Sequence, residues 1–342
     1  MTNPLFDLGW SEPLAESLPP DSTPARVCRV DRGGAVVLDG TGSQQLVSIA
    51  GRVLRDGEQV AVGDWVAVEH GERIAAILPR NTVLRRADVG GAAEEQVVAA
   101  NVDVIFVVAS LDGQLRGSRL ERYLAFAWGS GAEPVVVLSK ADRCPDLAEA
   151  LQVAGEVAVG IPIHAVSAFD PETVEELRPH VGSGRTAALV GPSGVGKSTI
   201  VNLLAGREVE ATGAIRSDGK GRHTTTWREL IAVPGGGVLL DTPGLRGLSL
   251  WDSAEGISHT FADIEALISE CRFADCAHTT EPGCAVLLAI EEGRLPSDRF
   301  VRYRKMMREQ ARLDARRDGR ARAEESARGR RFAKQAKTQW YR

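Results

Sequence analysis

The stretch from Leu189 to Thr199, LVGPSGVGKST, decides the fold. It has the form Gly-x4-Gly-Lys-Ser at Gly191, Gly196, Lys197 and Ser198, between an apolar run (RTAALVG) and a helix-forming one (KSTIVNLLAG). A strand, a glycine-rich turn and a helix in that order aim consecutive backbone N–H groups, and the positive end of the helix, at one point. That arrangement cradles the phosphates of a nucleoside triphosphate. The contacts read from it are Gly191, Pro192, Ser193, Gly194, Val195, Gly196, Lys197, Ser198 and Thr199. Lys197 is expected on the β and γ oxygens and Ser198 on Mg²⁺. Only 6 of the 41 basic residues are lysines, so a lysine at this position is informative.

On either side of the loop, residues 101–250 alternate apolar strands (VDVIFVVAS, PVVVLSK, PIHAVSA, RTAALVG, GGVLLD) with helical stretches such as RLERYLAFAWGSG. This is the pattern of a doubly wound α/β sheet, whose ligands sit at the carboxyl ends of the strands. VLLDTPG ends a strand with Asp241, where a carboxylate holds Mg²⁺ through water, and places Gly244 where its N–H senses a γ-phosphate. Asp241 lies 43 residues beyond Ser198.

The base is read from two further strand ends. VVVLSKAD carries Ser139, Lys140 and Asp142; a carboxylate there accepts from both the ring N–H and the exocyclic amine of guanine, and adenine has no such donor pair. The lysine stem is expected across the ring face. HAVSAFD ends in Ser167 and Ala168, whose backbone is expected to meet the guanine oxygen. These segments resemble the Asn-Lys-x-Asp and Ser-Ala-x motifs of GTPases, with Ser139 in place of the usual asparagine. A hydroxyl does not reproduce both amide contacts, so weaker guanine affinity is expected. An ATPase is disfavoured by Asp142.

The order of the motifs is unusual. Guanine segments (139–142, 167–168) come first, then the phosphate loop (191–198), the switch threonines (224–226) and Asp241-Thr242-Pro243-Gly244. The domain therefore reads as circularly permuted, a rearrangement tolerated by folds whose termini lie close together. VGDWVAVE (62–69), AANVD (99–103), GPSGVGKST (191–199), GRHTTT (221–226) and DTPGLR (241–246) together resemble the bacterial ribosome small-subunit-dependent GTPase A family, also called RsgA or YjeQ. The resemblance covers nearly the whole chain beyond residue 24. It implies GTP hydrolysis coupled to late maturation of the small ribosomal subunit, and it assigns Thr225 to the Mg²⁺ that accompanies GTP. Leu245 stands where many GTPases carry a water-orienting glutamine, and His223 is the expected substitute once a partner orders its loop.

Cys271, Cys276, His278 and Cys284 place three thiols and an imidazole within 14 positions, a donor set suited to a closed, structural Zn²⁺ site. The family's zinc motif has this spacing. Cys28 and Cys144 read as ordinary thiols. From Asp298 to Arg342 there are 16 Lys and Arg against 6 Asp and Glu, although the whole chain has a formal charge of −5. A basic segment after a metal-binding one suits rRNA phosphates, with steep salt dependence.

Five short alternating runs between Ala25 and Ile77 predict a small antiparallel barrel, with the OB type as the working choice. Trp65 is the one ring inside those strands that could stack on a base, and a purely structural barrel remains the alternative. The expected organisation is a disordered leader (1–24), an OB-like barrel (25–82), a circularly permuted P-loop α/β GTPase domain (95–250) and a helical zinc-binding domain with a basic tail (251–342). The apolar runs are too short to span a bilayer, and the acidic, proline-containing N-terminus does not read as an export signal. A cytoplasmic monomer is expected, with GTP or GDP, the small subunit and its rRNA as partners and no membrane. A zinc-stabilised RNA-binding protein, with GTP as a structural ligand only, is the second reading.

Overall fold

The computed structural model describes residues 4–31, 33–55, 59–87, 95–208, 229–241 and 254–315. The first sheet is a closed five-stranded barrel of β1 (Ser22–Asp31), β2 (Gly34–Leu38), β3 (Gln44–Ile49), β4 (Trp65–Glu69) and β5 (Arg73–Ile77), in the order β1-β2-β3-β5-β4. Alternate residues point inward, and Val27, Val37, Val47, Val66, Val68 and Ile74 fill the interior.

Residues 4–24, which fall in the segment expected to be a disordered leader, are ordered instead. They form α1 (Pro4–Asp7) and α2 (Glu12–Glu16), and bury Leu5, Leu8, Trp10 and Leu14 against Trp65, Ala67 and Leu78 of the barrel. Trp65 is 1% exposed, with Trp10 edge-on at 4.9 Å and the Arg26 guanidinium at 5.4 Å from its ring centroid. It is therefore closed off from nucleic acid and serves as a packing residue. Arg26, also buried, donates to Leu8 O, to Asn101 O (3.0 Å) and to Thr186 Oγ1 (2.7 Å), joining the N-terminal segment, the barrel and the larger sheet.

A ribbon of β6 (Val83–Ala87) and β7 (Glu95–Ala100) leads into a six-stranded sheet. Its strands are β8 (Val104–Ser110), β9 (Glu133–Ser139), β10 (Ile163–Val166), β11 (Thr186–Val190), β12 (Glu229–Ala232) and β13 (Val238–Asp241), in the order β10-β9-β8-β11-β13-β12. All pairings are parallel except β12 with β13. From β8 the chain moves outward through β9 and β10, then returns to lay β11 on the other side of β8. The switch point, where such sheets hold their ligands, is thus between β8 and β11. A short α3 (Gly51–Arg55) follows β3 of the barrel, and helices cover both faces of the larger sheet: α4 (Gly117–Gly129), α5 (Leu147–Val157), α6 (Pro171–Glu175) and α7 (Lys197–Ala205).

Among the described residues the C-terminal part holds α8 (Ala254–Thr260), α9 (Ala262–Ser269), α10 (Ala285–Glu291) and a helix, α11, at residues 297–315. α8 lies against α4 at Gly256, where a Cβ would sit 2.0 Å from Ala125 O. Among the described residues no helix is long and apolar enough to cross a membrane.

Candidate nucleotide site and metal centre

The phosphate loop follows β11 at the switch point. Gly191 has φ +150°, and a Cβ there would lie 2.3 Å from Val108 O, so only glycine lets the loop leave the sheet beside β8. Gly194 (φ +81°) and Gly196 (φ +96°) make the reversals that bring the chain into α7. Lys197, at the start of α7, folds its ammonium back onto Gly191 O (2.9 Å) and Pro192 O (2.7 Å), the centre of the loop. Ser198 and Thr199 lie in the first turn of α7, half-buried. Ser193 and Gly194 are exposed at the rim and Val195 is buried beneath it.

The segment at 139–142 abuts this loop. Ser139 is 3% exposed, and its hydroxyl donates to Val195 O at 2.5 Å, with Ala109 O at 3.2 Å. The Ser139 hydroxyl is thus committed to main chain that joins the two halves of the site. Lys140 takes a left-handed backbone (φ +58°), and its ammonium donates to Gly194 O at 2.8 Å and pairs with Asp112 Oδ2 at 2.6 Å. Asp142 Oδ1 accepts from the Ser167 hydroxyl at 2.7 Å; its other oxygen has Arg143 at 4.0 Å. Ser167 is buried at the end of β10, and Ala168 is exposed beside it. The ends of β9, β10 and β11 therefore converge, as the separate motifs require.

Asp241 ends β13; Ala188 of β11 is in register with Leu240, which puts Asp241 at the same edge of the sheet as the loop. His223, Thr225 and Gly244 lie outside the described residues. Asp112 lies outside every motif of the sequence. Its one signal there is an acid two residues beyond an apolar strand.

The chain belongs to the RsgA GTPase family. The family profile, described as RsgA GTPase, matches residues 77–251. The chain is 47% identical over 331 residues to the small ribosomal subunit biogenesis GTPase RsgA of Streptomyces coelicolor, covering 94% of this chain and 90% of that protein. It is 46% identical over 298 residues to the protein of the same name from Xanthomonas axonopodis pv. citri, covering 85% and 82%. The crystal structure of YjeQ from Thermotoga maritima superposes with a TM-score of 0.65 at 28% identity, over 84% of this chain and 98% of that one. YloQ, described as a circularly permuted GTPase, superposes with a TM-score of 0.61 at 25% identity, over 84% and 94%. The strand order above is thus that of a YjeQ-like circularly permuted GTPase, and this RsgA family member is a GTP-hydrolysing enzyme by membership.

In the C-terminal part Cys271, Cys276, His278 and Cys284 bring their ligand atoms within 4.8 Å of one another. His278 Nδ1 is 3.6 Å from Cys271 Sγ and 3.4 Å from Cys284 Sγ, and the two sulfurs are 3.9 Å apart. Two thiolates on one tetrahedral ion with bonds of about 2.3 Å would be about 3.8 Å apart, so the donor set fits a metal ion. Burial and the neighbouring sulfurs push the Cys276 thiol up to about 11, so the cluster holds a proton that a cation would displace. His278 has φ +53°, and Glu281 accepts from the N–H groups of Ala277, Thr279 and Thr280, fixing the loop between two ligands.

Proposed function

We propose that this protein binds GTP at the β8–β11 switch point, hydrolyses it when the small ribosomal subunit stimulates it, and assists late maturation of that subunit. The observation that carries the proposal is the bonding of the guanine-reading segment to the phosphate loop, Lys140 Nζ to Gly194 O and Ser139 Oγ to Val195 O. Residues more than 50 positions apart thereby form one continuous site long enough for base and phosphates.

The N–H groups of Pro192 to Gly196, with Lys197, hold the phosphates. Ser198, Thr225 and Asp241 hold the Mg²⁺ that comes with the nucleotide, which supplies charge neutralisation of the β and γ oxygens, and Gly244 senses the γ-phosphate. Gly191 and Thr199 complete the loop and the first turn of α7. Asp142 accepts from the guanine N–H groups, Lys140 lies on the ring, and Ser167 and Ala168 face the guanine oxygen. Ser139 acts from beneath, through the loop. His223 orients the attacking water.

The four-residue sulfur and imidazole cluster holds a structural Zn²⁺, with every coordination position taken by protein. The barrel is of the OB type, on its five strands, its closed order and the parallel contact of β3 with β5. The basic segment from 298 onward binds rRNA phosphates, and the protein works as a monomer in the cytoplasm.

Phosphate release is measured with GTP and with ATP, with and without small subunits, across a salt series. Stimulated release from GTP alone, falling with salt, is expected. Release that the subunit does not raise would leave a zinc-stabilised RNA-binding protein with GTP as a structural ligand; equal release from ATP would overturn the assignment of Asp142.

A further inference from the structure

We propose that Asp112 is a positioning residue of the nucleotide site, one that holds the Lys140 stem in place for the purine ring; this rests on the GTP reading given above. Ser110, the last residue of β8, is in register with Ser139, the last of β9, and Leu111 N donates to Ser139 O at 2.9 Å. Asp112 therefore leaves the sheet beside Lys140. Its Oδ2 takes the Lys140 ammonium at 2.6 Å and its Oδ1 accepts from the Ser110 hydroxyl. The hydrogen bond from Lys140, then that from Ser110, hold the Asp112 carboxyl below the usual carboxylate range.

An ammonium is a point charge on a four-carbon stem with free rotations, so a lysine offers a flat apolar edge only when its tip is fixed. Here the tip is fixed twice, by Asp112 on one side and by Gly194 O at 2.8 Å on the other. The backbone of Lys140 is also held at φ +58°, which L residues rarely adopt and which surroundings must enforce. Anchoring the tip sets the stem across the gap between the β8 and β9 ends and the phosphate loop.

Charge supplies a second reason. Two lysines contact the loop. Lys197 sits on Gly191 O and Pro192 O, at the phosphate centre, whereas Lys140 sits at the rim on Gly194 O. With Asp112 beside it, the rim lysine is part of a pair with no net charge, and the triphosphate has one register along the loop. Without Asp112 the rim ammonium competes for it. A partly exposed ion pair adds little to folding, so its value lies in this placement.

The test uses the full chain, with affinity for fluorescently labelled GDP and competition by GDP, GTP and the bare nucleoside guanosine, on the wild type, Asp112→Asn and Asp112→Glu. Asp112→Asn is expected to weaken GDP and guanosine alike, by roughly tenfold, or about 1.4 kcal/mol. The loss should fall in KM rather than kcat, with thermal unfolding of the nucleotide-free protein unmoved, and Asp112→Glu should recover most of it. Unchanged guanosine binding in Asp112→Asn, or equal loss in Asp112→Glu, overturns the proposal. A wild type that binds no guanine nucleotide refutes the GTP reading instead; a wild type that binds while Asp112→Asn binds equally well refutes only the role of Asp112.

Discussion

Glu121 is the acid on which the C-terminal part is anchored, and its removal has a calculable cost. Its carboxylate, 0% exposed on α4, accepts from Arg299 Nη1 at 3.1 Å and from Arg302 Nε at 2.7 Å, both from α11. Arg299 is itself 4% exposed in its side chain. Removing one partner of a buried pair costs about 3–5 kcal/mol, because the other charge stays behind without compensation. Here Arg299 keeps both oxygens of Asp263 at 2.9 Å, and Arg302 keeps Asp298. The lower end, about 3 kcal/mol, is therefore expected for Glu121→Ala. The neighbouring pair of Arg122 with Glu309 is bidentate at 2.8 Å but a third exposed on each side, so Arg122→Ala should cost at most about 1 kcal/mol. Native-state hydrogen exchange of the α11 amides reads both values directly, since these amides exchange when the helix opens. At 1.4 kcal/mol per decade, Glu121→Ala should speed their exchange by roughly 150-fold and Arg122→Ala by no more than about fivefold. Acceleration below about threefold in Glu121→Ala would refute the view that this ion network fastens the helix to the nucleotide domain.

Three further outcomes are expected. Gly191→Ala should abolish nucleotide binding in a fluorescence titration, because its Cβ meets Val108 O at 2.3 Å, whereas Gly155→Ala, with nothing within 4 Å, should add up to about 1 kcal/mol of stability as a helix substitution. Metal removal by a strong chelator should release one zinc per chain in a colorimetric assay and lower the far-ultraviolet helix signal, since Cys271, Cys276 and Cys284 pack in the same core as Ile257, Phe261 and Phe300. The Glu281 carboxyl, held at about 2 chiefly by the Thr279 and Thr280 N–H groups, should titrate there by carbon NMR; because its pKa is depressed, its ordering of the loop is present above about pH 4.5 and lost as pH falls toward 2.

Much of the molecule was legible in the chain. LVGPSGVGKST, the five alternating runs of the barrel, the apolar strands and the Cys271, Cys276, His278 and Cys284 cluster each depend on neighbours within a few positions, or on one periodicity, and such signals survive in a linear text. The edge strand β12, antiparallel and four residues long, is too short to show a periodicity of its own. The N-terminal segment was misread for a related reason: its prolines and acids suit a disordered tail, and only the barrel's surface turns Leu5, Trp10 and Leu14 into core.

What tertiary structure alone decided is the partner of each charge. Trp65 reads equally as a base-stacking ring or a packed one until Trp10 and Arg26 close over it. Asp112 and Lys140 are 28 positions apart, Ser139 and Val195 56, and Glu121 and Arg299 178. No spacing rule links residues so distant. Their meeting is fixed by the order in which β8, β9 and β11 lie side by side and by the close approach of α8 and α11 to α4. A sequence specifies which groups are available; the low-dielectric contacts that give an ion pair or a buried hydroxyl its effect exist only after the sheet and helices have excluded water.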